Sequence, residues 1–129
     1  MKARVSVEGF VASLVVLASA CSAVTPRVAE PERSRAEAYA DRGQAAFDAG
    51  DHEAGLRLAT RALVVRLAAC GYECPDSAYS FIQLGDMRRA LGQRAWAEQC
   101  YRRALEVLGP HDKTHADWIS AVRRRVDAP

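Results

Sequence analysis

Cysteines are the side chains of this sequence with the most evident chemistry. Cys70 and Cys74 flank Gly71-Tyr72-Glu73 and stand directly before Pro75. Cysteines four positions apart within a continuous helix are too distant for disulfide geometry, but the glycine and the proline indicate that a helix has ended here. We therefore expect a disulfide between them in an oxidising compartment. The alternative, a small thiol-redox protein, lacks the Cys-x-x-Cys spacing that such proteins use.

The histidines are the other candidates for chemistry, as metal ligands. His111 and His115 lie four positions apart near Asp112, and His52 is the only other histidine. Because no His-Glu-x-x-His arrangement is present, we expect neither a metal site nor a cofactor. Arg123-Arg124-Arg125 would suit an anionic partner, although arginines in the last turn of a predicted helix are accounted for by the helix dipole. The sequence therefore predicts a non-catalytic protein.

The N-terminus has the pattern of an export signal. Lys2 and Arg4 precede an apolar run from Phe10 to Ala20, which has 11 residues. A basic start, a short apolar stretch and small residues before a cleavage site are typical of a signal peptide. A membrane-spanning helix needs about 20 apolar residues. Although Glu8 departs from the pattern, we predict a signal peptide over residues 1–20.

The segment Leu17-Ala18-Ser19-Ala20-Cys21 resembles the lipobox of bacterial lipoproteins, in which the cysteine carries the lipid. This resemblance implies lipidation of Cys21, and Ser22 after it implies an outer-membrane lipoprotein facing the periplasm. The alternative is an ordinary cleavage site, which would give a soluble secreted or periplasmic protein. Residues 21–35, which include Pro26 and Pro31, are predicted to be a lipidated N-terminus and a flexible tether.

The charge balance of the exported part excludes one class of partner. Removing the first 20 of the 129 residues leaves 109, which suffice for one domain. These carry 16 basic and 15 acidic side chains. Binding to nucleic acid independent of sequence needs a basic excess, so we expect no nucleic-acid partner.

An internal repeat organises the rest of the chain. Gly43 and Gly85 are 42 residues apart, and the same offset relates Gly50 to Gly92. Further pairs at this offset are Ala36 and Ala78, Arg61 and Arg103, Ala62 and Ala104, Leu63 and Leu105, and Val65 and Val107. A period of about 20 to 50 residues indicates a repeat architecture, in which each unit buries its apolar side on the next.

Apolar periodicity predicts that each unit is a pair of helices. Residues recur at spacings of three and four, and Gly50-Asp51, Gly92-Gln93 and Gly109-Pro110 interrupt the pattern. Small residues are expected where the helices of a pair cross, at Gly43 against Gly55 and at Gly85 against Ala97. The predicted helices span residues 34–49, 52–69, 77–91, 94–108 and 114–126.

These motifs resemble the tetratricopeptide repeat. The first repeat is similar at Ala36, Tyr39, Gly43, Gly50-Asp51 and Ala62-Leu63, and the second at Phe81, Leu84-Gly85, Gly92, Ala97, Tyr101 and Ala104-Leu105. The long period resembles the kinesin-light-chain type. The resemblance implies an all-α domain over residues 36–129, a short right-handed α-solenoid of two hairpins with a capping helix at 114–126. An unrelated antiparallel helical bundle is the alternative.

The resemblance also implies where a ligand binds. In this family the first helix of each pair lines a concave groove that holds a peptide. The matching positions here are Glu37, Ala40, Gln44, Phe47, Asp48, Tyr79, Ile82, Asp86 and Arg89. For each of them the alternative is a structural role, as a core residue for Phe47 or as a solvated surface for the charged residues. We therefore expect a protein-binding adaptor of the cell envelope, with a self-associating structural subunit as the alternative function.

Overall fold

The computed structural model describes residues 27–129, which form an all-helical domain. The predicted signal peptide, Cys21 and the first part of the predicted tether lie outside the described residues. The helices are α1 (Glu30–Asp48), α2 (His52–Cys70), α3 (Pro75–Ala90), α4 (Arg94–Leu108), a 3-10 turn (Gly109–His111) and α5 (Asp112–Asp127). Between residues 27 and 129 there is no strand. The predicted all-α fold of two hairpins and a capping helix is confirmed.

Most helix boundaries lie within two residues of the prediction, and α1 is the exception. It begins at Glu30 and not at Ser34, with Pro31 in its first turn. Proline and acidic residues favour a helix N-terminus. They do not extend the pattern of apolar residues from which the helices were predicted. Residues 30–35, which the sequence assigned to the tether, are therefore helical. In α5 the backbone of His115 leaves helical values, at φ −128° and ψ 24°, so the short first turn is separated from the main helix by a kink.

The helices are arranged in two layers. α1 pairs with α2 and α3 with α4, while α2 also packs against α3, and α4 against α5. The odd-numbered helices therefore form one layer, and α2 and α4 form the other. The larger buried cluster joins α3, α4 and α5, and a smaller one (Ala59, Leu84, Met87) joins the two hairpins. No helix within residues 27–129 is both long and apolar enough to cross a bilayer.

Glycines permit the close crossing of the helices in each hairpin. A Cβ placed on Gly43 would lie 3.0 Å from the carbonyl oxygen of Gly55, as expected from the sequence. In the second hairpin the sequence predicts that Gly85 lies against Ala97, but a different residue is closest to it. A Cβ placed on Gly85 would lie 2.5 Å from Cε1 of Tyr101, so the tyrosine ring, and not Ala97, makes the closest approach. The Tyr101 ring fills the space between α3 and α4 that two small side chains would have left empty.

The outer flank of α1 carries charges where the equivalent flank of α3 is buried. Cys74, Ser77, Phe81 and Leu84 are buried. The residues 42 positions earlier are Glu32, Arg35, Tyr39 and Arg42, and both arginines are exposed. Terminal repeats of a solenoid need such a polar outer side for solubility. This end of the array is therefore built to face water.

A disulfide joins the two hairpins. Cys70 ends α2, Cys74 precedes α3, and their Cα atoms are 5.6 Å apart. Gly71 between them has φ +78° and ψ −178°, a conformation that a side chain would strain. The buried Cys74 also accepts hydrogen bonds at its carbonyl oxygen from the amide and the hydroxyl of Ser77, at 3.0 and 2.8 Å. The loop that the disulfide closes therefore contains the whole connection between the hairpins.

We expect reduction of this disulfide to weaken the fold modestly. Because the bridge closes a very short loop, the chain-entropy relation gives a loss of about 2 kcal/mol in the free energy of unfolding. Urea unfolding with and without a dithiol reductant measures the loss. In the control variant Cys70→Ala the reductant should have no effect. An unchanged urea midpoint in the unsubstituted protein would contradict the prediction.

Candidate functional site

The α1 part of the expected groove is largely open to solvent. Glu37, Gln44 and Asp48 are exposed, and Ala40 is half-buried. The Gln44 amide donates to the Asp48 carboxylate at 2.9 Å, and this is a contact on the surface of the helix. These four positions recur at three- and four-residue spacings, so they share one side of α1. They are available to a ligand.

Phe47 differs from its neighbours, because its ring has structural contacts. The ring centroid lies 4.6 Å from that of His52. A Cβ placed on Gly55 would lie 2.7 Å from the Cβ of Phe47. The ring also packs against the cluster that joins the two hairpins. Phe47 is therefore a packing group of the first hairpin, in line with the structural alternative that the sequence left open for it.

On α3, the expected groove residues are in contact with α5. The Tyr79 ring meets the Trp118 ring edge to face, with centroids 3.8 Å apart. Asp86 forms an ion pair with Arg125 at 2.9 Å, and Arg89 donates to the Arg125 carbonyl oxygen at 3.2 Å. The C-terminal helix thus already occupies much of the surface that these three residues would offer.

Asp86 connects three helices. Besides Arg125, it accepts a hydrogen bond at 2.7 Å from the hydroxyl of Tyr101, a residue of α4 that is 1% exposed. Burial raises the pKa of Tyr101 strongly, and the hydrogen bond to Asp86 adds to the increase, so the hydroxyl keeps its proton.

Sequence reasoning missed Trp118 and Arg125 as partners of this surface. Their spacing of seven residues, two helical turns, was the available signal.

A buried arginine of α2 contacts α3. Arg66 of α2 is 7% exposed and donates to the Ser80 hydroxyl at 2.5 Å. Burial lowers the pKa of Arg66, while the charges of Asp76 and Glu37 act in the opposite direction. Asp76 in turn lies 3.6 Å from Arg33 of α1. Apolar periodicity gives no signal for a buried arginine, so the sequence did not predict this charged network.

The open part of the groove therefore lies between α1 and α3. The two helices are tied by a hydrogen bond at 2.8 Å from the Gln83 amide to the Ala40 carbonyl oxygen. Half-buried Ile82 packs on the larger core cluster and provides an apolar floor, and Tyr79 remains 37% exposed at one end. Glu37 is the exposed charge at the rim. This surface has a half-buried apolar centre at Ile82 and an exposed acidic residue at its edge.

The other candidates for chemistry are not among the groove residues. The rings of His111 and His115 are 6.2 Å apart, and the Thr114 hydroxyl lies 2.8 Å from Nδ1 of His115. Cys100 has a free thiol, and burial raises its pKa. In the part of the chain that the structure describes, no three His, Cys, Asp or Glu side chains are grouped as metal ligands.

Comparison with known proteins identifies the fold. The family profile described as tetratricopeptide repeat matches residues 34–108, which is more than half of the chain and covers both hairpins. No curated protein matches the chain significantly, and no solved structure does either. Repeats of this family generally mediate protein–protein interaction. From its hairpins, its glycine crossings and this match, the chain belongs to the tetratricopeptide repeat family.

Proposed function

We propose that this protein is a non-catalytic adaptor that holds a protein partner in the groove between α1 and α3. The observation that carries the proposal is the open α1 surface: Glu37, Gln44 and Asp48 are exposed beside an apolar floor. Interfaces combine an apolar centre with a polar rim in this way. Tyr79, Asp86 and Arg89 of α3 have a second role, since their contacts with α5 hold the capping helix in place.

The charges of α1 favour a basic or neutral segment of the partner. This helix carries five acidic residues (Glu30, Glu32, Glu37, Asp41, Asp48) and three arginines (Arg33, Arg35, Arg42). Complementary charge steers association and excludes wrong partners more than it adds affinity. A partner segment with apolar and basic residues fits this surface best.

The proposal places the adaptor in the cell envelope, anchored through Cys21 to the outer membrane. Support comes from the lipobox-like segment and from the short apolar run before it. Replacement of Cys21 by serine should move the protein from the membrane fraction to the soluble fraction of the same cells, because the acyl chains provide the anchor. If Cys21→Ser stays in the membrane fraction, lipid anchoring is wrong.

Charge reversal in the open groove should abolish most partner binding. In the double variant Glu37→Arg and Gln44→Arg we expect at least tenfold less co-purified partner, because two exposed positions would repel a basic segment. Quantitative mass spectrometry after crosslinking in intact cells measures the change. Ala38→Arg is a control for added positive charge on α1, since Ala38 is exposed on the same helix but outside the groove set.

An equal loss in the Ala38→Arg control would show that added charge on α1 is sufficient by itself. The groove would then have no part in binding.

The polar outer flank of α1 also favours an adaptor over a self-stacking subunit, because stacking would bury Arg35 and Arg42 without a partner for their charges. Light scattering at low concentration separates the two functions, and a persistent homodimer would support self-association.

A further inference from the structure

A second open surface lies on the layer formed by α2 and α4. Both helices pack against α3 but barely touch each other. One depression, of about 730 Å³, runs along α2 beside Arg88, and another, of about 390 Å³, runs along α4 beside Trp96 and Cys100. Leu56 and Cys100 both pack on the small cluster that joins the hairpins. We call this surface the back cleft (Leu56, Thr60, Arg88, Trp96, Gln99, Cys100).

Two large exposed apolar side chains, Val64 and Trp96, line the depressions of this surface. Val64 is 56% exposed and Trp96 61%, whereas the groove residue Tyr79 is 37% exposed. A single exposed apolar residue needs no explanation. Two large ones that each line a depression are typical of an interaction surface, and tryptophan is among the side chains that most often dominate binding energy.

The centre of the back cleft is an arginine that is held in position without an acidic partner. The Arg88 guanidinium lies 5.6 Å from the centre of the Trp96 ring and donates to Oε1 of Gln93 at 2.7 Å. Among residues 27–129, no carboxylate is within ion-pair distance of Arg88. Because both side chains are already ordered, they lose little freedom when a ligand binds.

The charge of this layer is opposite to that of the groove. The two depressions are lined by five arginines and two glutamates (Arg57, Arg61, Arg88, Arg102, Arg103, Glu53, Glu106), whereas α1 has an acidic excess. Both glutamates are engaged, Glu53 by Arg57 and Glu106 by Arg103. The basic excess that remains attracts negative charge and repels the basic segment that suits the groove.

We propose that the back cleft is a second docking surface, which takes an acidic amphipathic helix of a protein partner. The apolar side of that helix, with residues at three- and four-residue spacings, lies on Trp96 and the cleft floor. Its carboxylates meet Arg88, which then acquires the acidic partner that residues 27–129 do not provide. The protein would thus bind one acidic and one basic segment on its two sides.

Site-specific crosslinking in living cells tests this proposal. A photoreactive residue in place of Gln99, which is exposed in the back cleft, should crosslink to a protein segment that is acidic and amphipathic. The same residue in place of Gln44 reports on the groove. Fragment mass spectrometry maps both crosslinked segments. A product at position 99 with lipid, with a second copy of this chain or with a basic segment overturns the proposal, and so does the absence of a product.

Binding of the mapped segment, made as a synthetic peptide, provides the quantitative test on the purified full chain. We expect Trp96→Ala and Arg88→Gln each to weaken peptide binding at least tenfold, and Ala38→Arg to leave it unchanged. Trp96 is largely exposed, so its replacement should not unfold the protein, and circular dichroism checks this. Equal affinity for Trp96→Ala and the unsubstituted protein overturns the back cleft. Loss of crosslinking at Gln44 alone would count only against the groove.

Discussion

Replacing Tyr101 by alanine should destabilise this protein more than any other single substitution considered. The side chain is 1% exposed and lies in the larger core cluster. Its ring fills the crossing at Gly85, and its hydroxyl donates to Asp86 at 2.7 Å. Truncation of a buried aromatic residue to alanine costs about 3–5 kcal/mol. We expect a loss of this size in the free energy of unfolding from urea denaturation.

Tyr101→Phe separates packing from hydrogen bonding. This variant keeps the ring but removes the donor to Asp86, which retains Arg125 as a partner. The loss should be about 1 kcal/mol, the usual value for one hydrogen bond. If Tyr101→Phe were as unstable as Tyr101→Ala, the polar contact and not the ring would hold the second hairpin together, contrary to our account.

Replacing Gly55 by alanine should disrupt the first hairpin. The added Cβ would lie 2.7 Å from the Cβ of Phe47 and 3.0 Å from both the Phe47 Cα and the Gly43 oxygen. These are atoms of the backbone or fixed to it, so whole helices must separate to relieve the contact. Overpacking of this kind costs about 1–3 kcal/mol, and occasionally more. We expect a value at or above the upper end, measured as the urea midpoint and slope.

Gly109→Ala is the matched control for this substitution. A Cβ on Gly109 would meet no atom within 4 Å, and its backbone is in the right-handed helical region, with φ −52°. The stability of this variant should therefore equal or slightly exceed that of the unsubstituted protein. If both glycine variants lost stability equally, close helix crossing at Gly55 would not be the cause.

The sequence was sufficient for elements that have strong local signals. α4 has the predicted bounds, and glycines with positive φ follow α1 and α3 at Gly50 and Gly92, 42 residues apart. The start of α1 was predicted four residues too late, because Glu30 to Arg33 form a helix through favourable end charges and Pro31, with no apolar repeat. Periodicity detects the side of a helix that packs, and it gives no information on a helical turn that is solvated.

The candidate site was harder to predict, because it depends on contacts between distant helices. The groove positions follow from the family pattern, but not the fact that Arg125 engages Asp86, 39 residues away. Likewise, burial of Arg66 beside Ser80 reflects the meeting of α2 with α3, which a pattern along one helix cannot show. Trp96 is exposed, although its position in the helical periodicity of α4 would equally fit a core residue. In each of these cases the outcome depends on how the helices are arranged in three dimensions.

The disulfide between Cys70 and Cys74 has a consequence for a cleaved form of this protein. The bridged segment holds Tyr72, the most exposed large apolar side chain among residues 27–129, and it connects the two hairpins. A protease that cut between Tyr72 and Glu73 would leave two halves that remain covalently joined. Such nicked protein would migrate as one band in non-reducing electrophoresis and as two bands after reduction.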